Sequence, residues 1–139
     1  MVPKLTKRDY DCLRAIMALT ADGWAARVKD VASALGVRPP TVIGFLDRLV
    51  QLSVVERGPG GYRLSRKGSK LVDELTRSHR LFETLLFRTG LTIEEAHLIS
   101  LSIDKDIDDK AAALLCARLN HPKKCPHDMP IPAGDQYDR

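Results

Sequence analysis

This 139-residue chain has no run of about 18 apolar residues, so no helix is expected to span a membrane. Its first ten residues, MVPKLTKRDY, carry no apolar core of the kind that directs secretion, and a cytoplasmic protein is expected. It has only three cysteines, Cys12, Cys116 and Cys125, odd in number and far apart, which excludes a disulfide framework. There is no glycine-rich phosphate loop, and no Ser/His/Asp order stands out as a hydrolytic triad, so an enzyme is not expected. Internal repeats and low-complexity tracts are absent too. The chain is long enough for one sizeable core, or for one small core and a dimerising segment.

Charge is unevenly spread. The formal net charge is +4. Residues 1–78 hold 14 Lys and Arg against 8 Asp and Glu, and residues 79–139 hold 8 against 10. A basic first half suits a phosphate-binding surface. The slightly acidic second half has another task.

The stretch Arg27 to Leu52 organises the basic half. Val28, Val31, Ala32 and Leu35 recur at helical spacing, and Gly36 stops that helix with a left-handed cap. Val37 supplies an apolar contact at the turn. Pro40 suits the first turn of a second helix, where a missing N–H costs nothing. Val42, Phe45, Leu46, Leu49 and Val50 form its apolar stripe, which leaves Arg38, Thr41, Gly44, Asp47 and Arg48 outside. This predicts a helix-turn-helix whose recognition helix runs from about Pro40 to Leu52. Val54 to Glu56 then read as a strand, Gly58-Pro59-Gly60-Gly61 as a turn, and Tyr62 to Leu64 as the return strand. A short hairpin after a recognition helix is a wing. A winged-helix scaffold used for protein contacts is the bland alternative.

Before that stretch, Thr6 caps a helix with Asp9 as its capping-box partner, running to about Leu19 with Tyr10, Cys12, Leu13, Ile16 and Met17 on its buried side. Trp24 reads as a core anchor. After the wing, Ser65 caps a long helix from Arg66 to about Phe87, ended by Gly90. Thr92 caps the next helix, with Glu94 and Glu95 in its first turn and Ala96, Ile99, Ser100 and Ile103 packed inward. Asp108 caps a last helix from Asp109 to Leu119. The tail from Asn120 holds four prolines in HPKKCPHDMPIP and no helical period. The expected architecture is mainly α. Residues 1–75 form a winged helix-turn-helix with a short β-hairpin wing. Residues 76–139 form an all-helical dimerisation and metal-binding domain with an irregular tail. Short apolar helices are marginal alone, so a two-fold homodimer is expected to cover them, and such a dimer suits DNA read as paired half-sites.

Helical spacing also gathers metal-binding side chains. His79 and Glu83 are i and i+4 on the long helix and share a face. His97 follows after one tight turn, and Asp104 lies seven residues on, near the same face. Imidazole and carboxylate together suit Fe(II), Mn(II), Co(II), Ni(II) or Zn(II). On the DNA side, Arg38, Thr41 and Arg48 are the candidate recognition-helix contacts. Pro39 and Pro40 present a rigid tip that could meet a thymine methyl, and Gly44 leaves direct base reading sparse. Lys29, Arg57, Arg63 and Lys67 are candidate phosphate contacts, as a cluster rather than singly.

Taken together, DYDCLRAI, the winged helix, SHRLFETLL, TGLTIEEAH and CPHDMPIP resemble the DtxR/MntR family of metal-dependent transcriptional repressors. The ordered HRLxExLL, glycine turn, His and closing PIP carry the likeness across nearly the whole chain. The longer members add an SH3-like domain, so the likeness is to the short class. The resemblance implies a homodimer that binds palindromic operator DNA with iron or manganese as corepressor. It implies one metal position at His79, Glu83 and His97. A second would draw on the first helix, matched here by Asp11, and on a later stretch that falls on Leu101, Asp104 and Lys105. Leu101 cannot bind, and a Lys105 ammonium repels a divalent cation. Cys125 and His127 of the tail are candidate substitute ligands. In the alternative reading, Lys105 pairs Asp104 and Asp11 and replaces the metal, giving a metal-independent DNA-binding or interaction module. A thiol redox switch at Cys12 or Cys125 is a further variant.

Overall fold

The computed structural model describes residues 5–134. The part of the N-terminal leader reading that rests on residues 1–4 lies outside them. The chain divides into two compact units, Met1–Val72 and Asp73–Arg139.

In the first unit, α1 (Lys7–Leu19) opens on the expected capping box: the Asp9 amide donates to Thr6 Oγ1, and the Thr6 amide donates to the Asp9 carboxylate. Helix α2 (Val28–Leu35) ends at Gly36, whose φ of 67° is the left-handed cap. Helix α3 (Pro39–Gln51) starts one residue earlier than expected, with Arg38 as N-cap and both prolines in the first turn, because neither position owes a helical N–H bond. The wing is an antiparallel hairpin, β1 (Val55–Gly58) and β2 (Gly61–Leu64), with Val55 opposite Leu64 and Gly58 opposite Gly61. Ala26 adds a third, short pairing to Tyr62 on the free side of β2. Leu13, Ile16, Val31, Val42, Leu46, Leu49, Val54 and Val55 form the core. Trp24 is not part of it. Its side chain is 76% exposed, because the Asp22–Ala25 turn carries it outward while Ala26 takes the buried position. The core-anchor expectation for Trp24 is therefore wrong.

Helix α4 (Arg66–Arg88) begins in the first unit and continues into the second. Ser65 caps it by accepting from the Gly68 amide. In the second unit come α5 (Ile93–Ile103), a 3₁₀ turn at Asp104–Asp106, and α6 (Asp109–Arg118). Thr92 and Glu95 form a second capping box, and Asp108 caps α6. Leu81, Ala112, Cys116 and Leu119 make a small core. On α5, Ala96 and Ser100 are buried as expected, but Ile99 is exposed and Ile103 only half-buried. Ala96 and Ser100 take the buried face of this short helix, which leaves Ile93, Leu98 and Ile99 outside. Among the described residues no helix is long and apolar enough to cross a membrane.

Candidate metal centre and DNA-facing surface

The N-terminus of α3 is an exposed tip. Arg38, Pro39, Pro40 and Thr41 all face solvent, as does Gly44, where an added Cβ would meet open space. The helix dipole gives such a tip a positive potential, although its two prolines carry no N–H. Lys29 on α2 and Arg57 on the wing are also exposed, with the Arg57 guanidinium 6.0 Å from the Tyr62 ring centre. Three of the proposed basic contacts have work inside the fold. Arg63 donates to the Gly23 carbonyl and holds the loop before α2 against the wing. Arg48 donates to both carboxylate oxygens of buried Asp9, at 3.3 and 3.1 Å. It braces α3 on α1, so its guanidinium is already committed. Lys67 reaches the Leu52 carbonyl.

The second unit assembles the expected polar cluster. The α4 register puts His79 and Glu83 one turn apart, and the Thr92 cap sets α5 so that His97 meets them. His79 Nε2, His97 Nδ1 and Glu83 Oε2 form a triangle with edges of 3.3, 3.0 and 3.1 Å. Metal bonds to such donors run about 2.0–2.2 Å, so neighbouring donors stand about 3.0 Å apart in an octahedron and about 3.4 Å in a tetrahedron. The observed edges fall in that interval. Glu83 is 1% exposed, so this carboxylate is removed from water.

Asp104 completes the arrangement from behind. Its Oδ2 lies 3.2 Å from His79 Nδ1, an acceptor that fixes the proton on that nitrogen. Nε2 of His79 then presents a lone pair to the triangle. His97 Nδ1 can give at most one proton to it, so some edges join two acceptors. A divalent cation satisfies all three donors at once, and the residues present fit one. Asp104, expected from sequence as a direct ligand, here holds the His79 ring by this hydrogen bond.

The other Glu83 oxygen faces the tail. Oε1 lies 2.9 Å from His127 Nδ1, and Glu83, Cys125 and His127 offer donor atoms within 4.8 Å of one another. Burial alone would raise the Glu83 pKa. In the metal-free protein, hydrogen bonds from His127 and His97, with the charge that His79 and His127 carry when protonated, outweigh it and leave the pKa below the ordinary glutamate range. Cys125 is buried and sits in a closed turn: its amide donates to Met129 O at 2.9 Å, and the Asp128 amide to Cys125 O at 2.8 Å.

Three sequence expectations fare differently. Asp11 lies on α1 in the first unit, lining a cavity of about 360 Å³ with Arg8, Arg14, Ala15, Ala34 and Leu35. The fixed-cation alternative put the Lys105 ammonium between Asp104 and Asp11. It instead lies 3.3 Å from Asp106, because the 3₁₀ turn sends Asp104 inward to His79 and Lys105 toward its neighbour. Cys12 fails as a redox switch. It is fully buried, and burial, with Asp9 and Asp11 nearby, pushes its thiol up to about 11. Sequence reading missed Arg77 and Arg80, which hold the tail: Arg77 Nη1 donates to Pro132 O at 3.4 Å, and Arg80 to Pro130 O. Their three-residue spacing with Glu83 on α4 was legible in the sequence, but the tail that meets them was not.

Residues 65–133 match the family model described as iron dependent repressor, metal binding and dimerisation domain. An uncharacterized HTH-type transcriptional regulator of Aeropyrum pernix is 33% identical over 84% of this chain and 65% of its own length. The HTH-type transcriptional regulator MntR of Lysinibacillus sphaericus is 33% identical over 70% of this chain and 78% of its own. Among solved structures, the hypothetical protein SSo2273 from Sulfolobus solfataricus matches with a TM-score of 0.85, at 26% identity, over 93% of this chain and all of that one. The manganese regulator SloR matches with a TM-score of 0.78, at 30% identity, over 93% of this chain and 61% of its own. The chain therefore spans under two thirds of the Aeropyrum regulator and of SloR. With the family model lying on the half that holds the His79–Glu83–His97 cluster, and the fold of repressor structures running across both units, the chain belongs to the DtxR/MntR family of metal-dependent transcriptional repressors.

Proposed function

We propose that this chain is a metal-responsive transcriptional repressor that binds palindromic operator DNA as a homodimer, with Fe(II) or Mn(II) as its corepressor. The observation that carries the reading is the triangle of His79 Nε2, His97 Nδ1 and Glu83 Oε2 at metal-ligand spacing, backed by Asp104. His79, Glu83 and His97 hold one ion, and Glu83, Cys125 and His127 offer a second set that shares the same carboxylate. A bound divalent ion supplies the positive charge that lets these lone pairs converge. Glu83 draws α5 and the tail onto α4. Asp104 keeps the His79 ring in the orientation that presents Nε2. On the DNA side, Arg38 to Thr41 and Gly44 meet the groove. Lys29 and Arg57 contact phosphates, Arg63 holds the loop before α2 against the wing, and Arg48 keeps the recognition helix at a fixed angle to α1. Iron stands in the description of the matched family model and manganese in that of SloR. Zn(II), Co(II) and Ni(II) suit the same donors in vitro.

A ligand shifts DNA binding only by its differential affinity for the DNA-competent state. The test is DNA affinity of chelator-treated protein with and without Mn(II), Fe(II) and Zn(II), on random and selected duplexes. The expected gain is tenfold or more, about 1.4 kcal/mol of coupling, and the strongest response identifies the metal. Glu83→Ala should abolish the gain. Tight binding that ignores every metal would sink the reading.

A further inference from the structure

The closing Pro130-Ile131-Pro132 segment has no part in ligation, yet it is the most regularly fastened stretch of the tail. It runs antiparallel along one stripe of α4. Arg77 donates to Pro132 O, Arg80 donates to Pro130 O, and Glu83 meets His127. On the helix these three stand at successive three-residue steps, on neighbouring turns of one face. Their partners descend 132, 130, 127 as the helix ascends. Proline fixes its own φ and holds the preceding residue extended, so the carbonyls at 130 and 132, two residues apart, turn to the same side. Gly134 seats against Arg77: a Cβ there would stand 2.9 Å from the guanidinium carbon. Arg77 itself is buried, and its planar fork suits fixed carbonyl acceptors in a way a lysine does not.

The strap ends on the turn that carries Cys125 and His127. Ile131 N donates to Lys123 O at 2.9 Å, and Cys125 N to Met129 O, closing the turn at its base. With the strap fastened, Cys125 and His127 stand at Glu83 before any ion arrives. Unfastened, the stretch from Cys125 to Gly134 must be ordered at the moment of binding, which costs affinity.

We propose that Arg77 and Arg80 are positioning residues for the tail ligands: by clamping the Pro130–Gly134 strap they preset Cys125 and His127 at Glu83, and so set how tightly the thiol-containing ligand set takes a transition metal. This rests on the reading that Cys125 and His127 bind metal. Outer-shell partners of metal ligands commonly change affinity by roughly 10-fold to 100-fold.

The test uses the full chain, stripped by chelator and titrated with Co(II) alone. Near-ultraviolet absorbance reports thiolate-to-cobalt charge transfer, and visible absorbance reports cobalt in any protein site. Wild type should develop a charge-transfer band that Cys125→Ser lacks. Arg80→Ala should reach the same band height but need roughly tenfold more Co(II), with partial recovery in Arg80→Lys. In the Cys125→Ser background, Arg80→Ala should leave the visible titration where it was, an outcome that general destabilisation would not give. Should Arg80→Ala lose helical circular dichroism, Gly134→Ala supplies the same test by pressing on Arg77, with the same weakening of the band expected. An Arg80→Ala or Gly134→Ala protein that stays folded and titrates like wild type overturns the positioning role. A wild type with no Cys125-dependent band overturns the tail-ligand reading itself, and the positioning role with it.

Discussion

Glu83 uses both carboxylate oxygens, one toward His79 and His97 and one toward His127, while almost wholly out of water. Its lowered pKa has a consequence for the metal-free protein. A carboxyl whose folded pKa lies below its unfolded value stabilises above the ordinary glutamate range and loses that contribution as pH falls through the folded value. Urea midpoints of metal-free wild type and Glu83→Gln should therefore diverge at neutral pH and converge at acid pH. A gap that is constant with pH would contradict the pairing. Cys12 has the opposite sign. Burial raises its thiol from the ordinary 9.0 to about 11, so the fold keeps its stability below pH 9 and loses it as pH climbs from there through 11. In the folded protein at pH 8, Cys12 should resist alkylation that it accepts in denaturant. Peptide mapping of the alkylated cysteines reads this directly.

At the scale of elements, two helical glycines make opposite predictions. Gly44 on α3 has open space where a Cβ would go. Gly44→Ala should stabilise the fold by about 0.5–1 kcal/mol, since alanine has less backbone freedom to lose. Any loss of DNA affinity in that stable variant would report a close approach of α3 to the duplex. Gly68 opens α4, where a Cβ would lie 2.0 Å from the Val54 carbonyl oxygen. Backbone cannot yield as a side chain tip can, so Gly68→Ala should cost at least about 3 kcal/mol. Thermal unfolding of both variants checks the pair, and equal effects would contradict the packing. The wing follows the same local logic. Pro59 and Gly60 are the two loop residues between Gly58 and Gly61, and Gly61 lies close against the Ala26 carbonyl, where a side chain would not fit.

For the whole molecule, the split in charge and the exposed apolar residues point to partners. Ile93, Leu98 and Ile99 on α5 and Leu114 on α6 are all exposed in the single chain. In the homodimer proposed above, a second copy covers α5. Leu98→Glu with Ile99→Glu should then yield a monomer by light scattering and weaken binding to paired half-sites far more than to a single one. A doubly substituted protein that remains dimeric would move the interface elsewhere. In the DNA complex proposed above the basic half faces the phosphates, so log affinity should fall linearly with log salt, and each phosphate contact removed, such as Lys29→Ala, should lower the slope by about one.

Sequence alone determined the order of elements, because the signals are local. Thr6 with Asp9, Thr92 with Glu95, Gly36 and the Pro39-Pro40 pair each fix a helix end through a backbone rule that holds in any fold. It also determined the His79–Glu83 pairing, since one helical turn joins them, and the candidacy of His97 and His127. What it could not carry depends on contacts between residues distant along the chain. Trp24 read as core because it is large and apolar, but the Asp22–Ala25 turn gives the inward place to Ala26. Arg48 read as a DNA contact because it lies on the outer face of α3, yet Asp9, 39 residues earlier, takes its guanidinium. Asp104 read as a ligand, and only the 3₁₀ turn after α5 shows it behind His79, 25 residues away. Lys105 goes to Asp106 for the same reason. Helix periodicity says which side chains share a face; which partner arrives at that face is decided by packing, and the tail clamped by Arg77 and Arg80 was therefore visible only once the chain had folded.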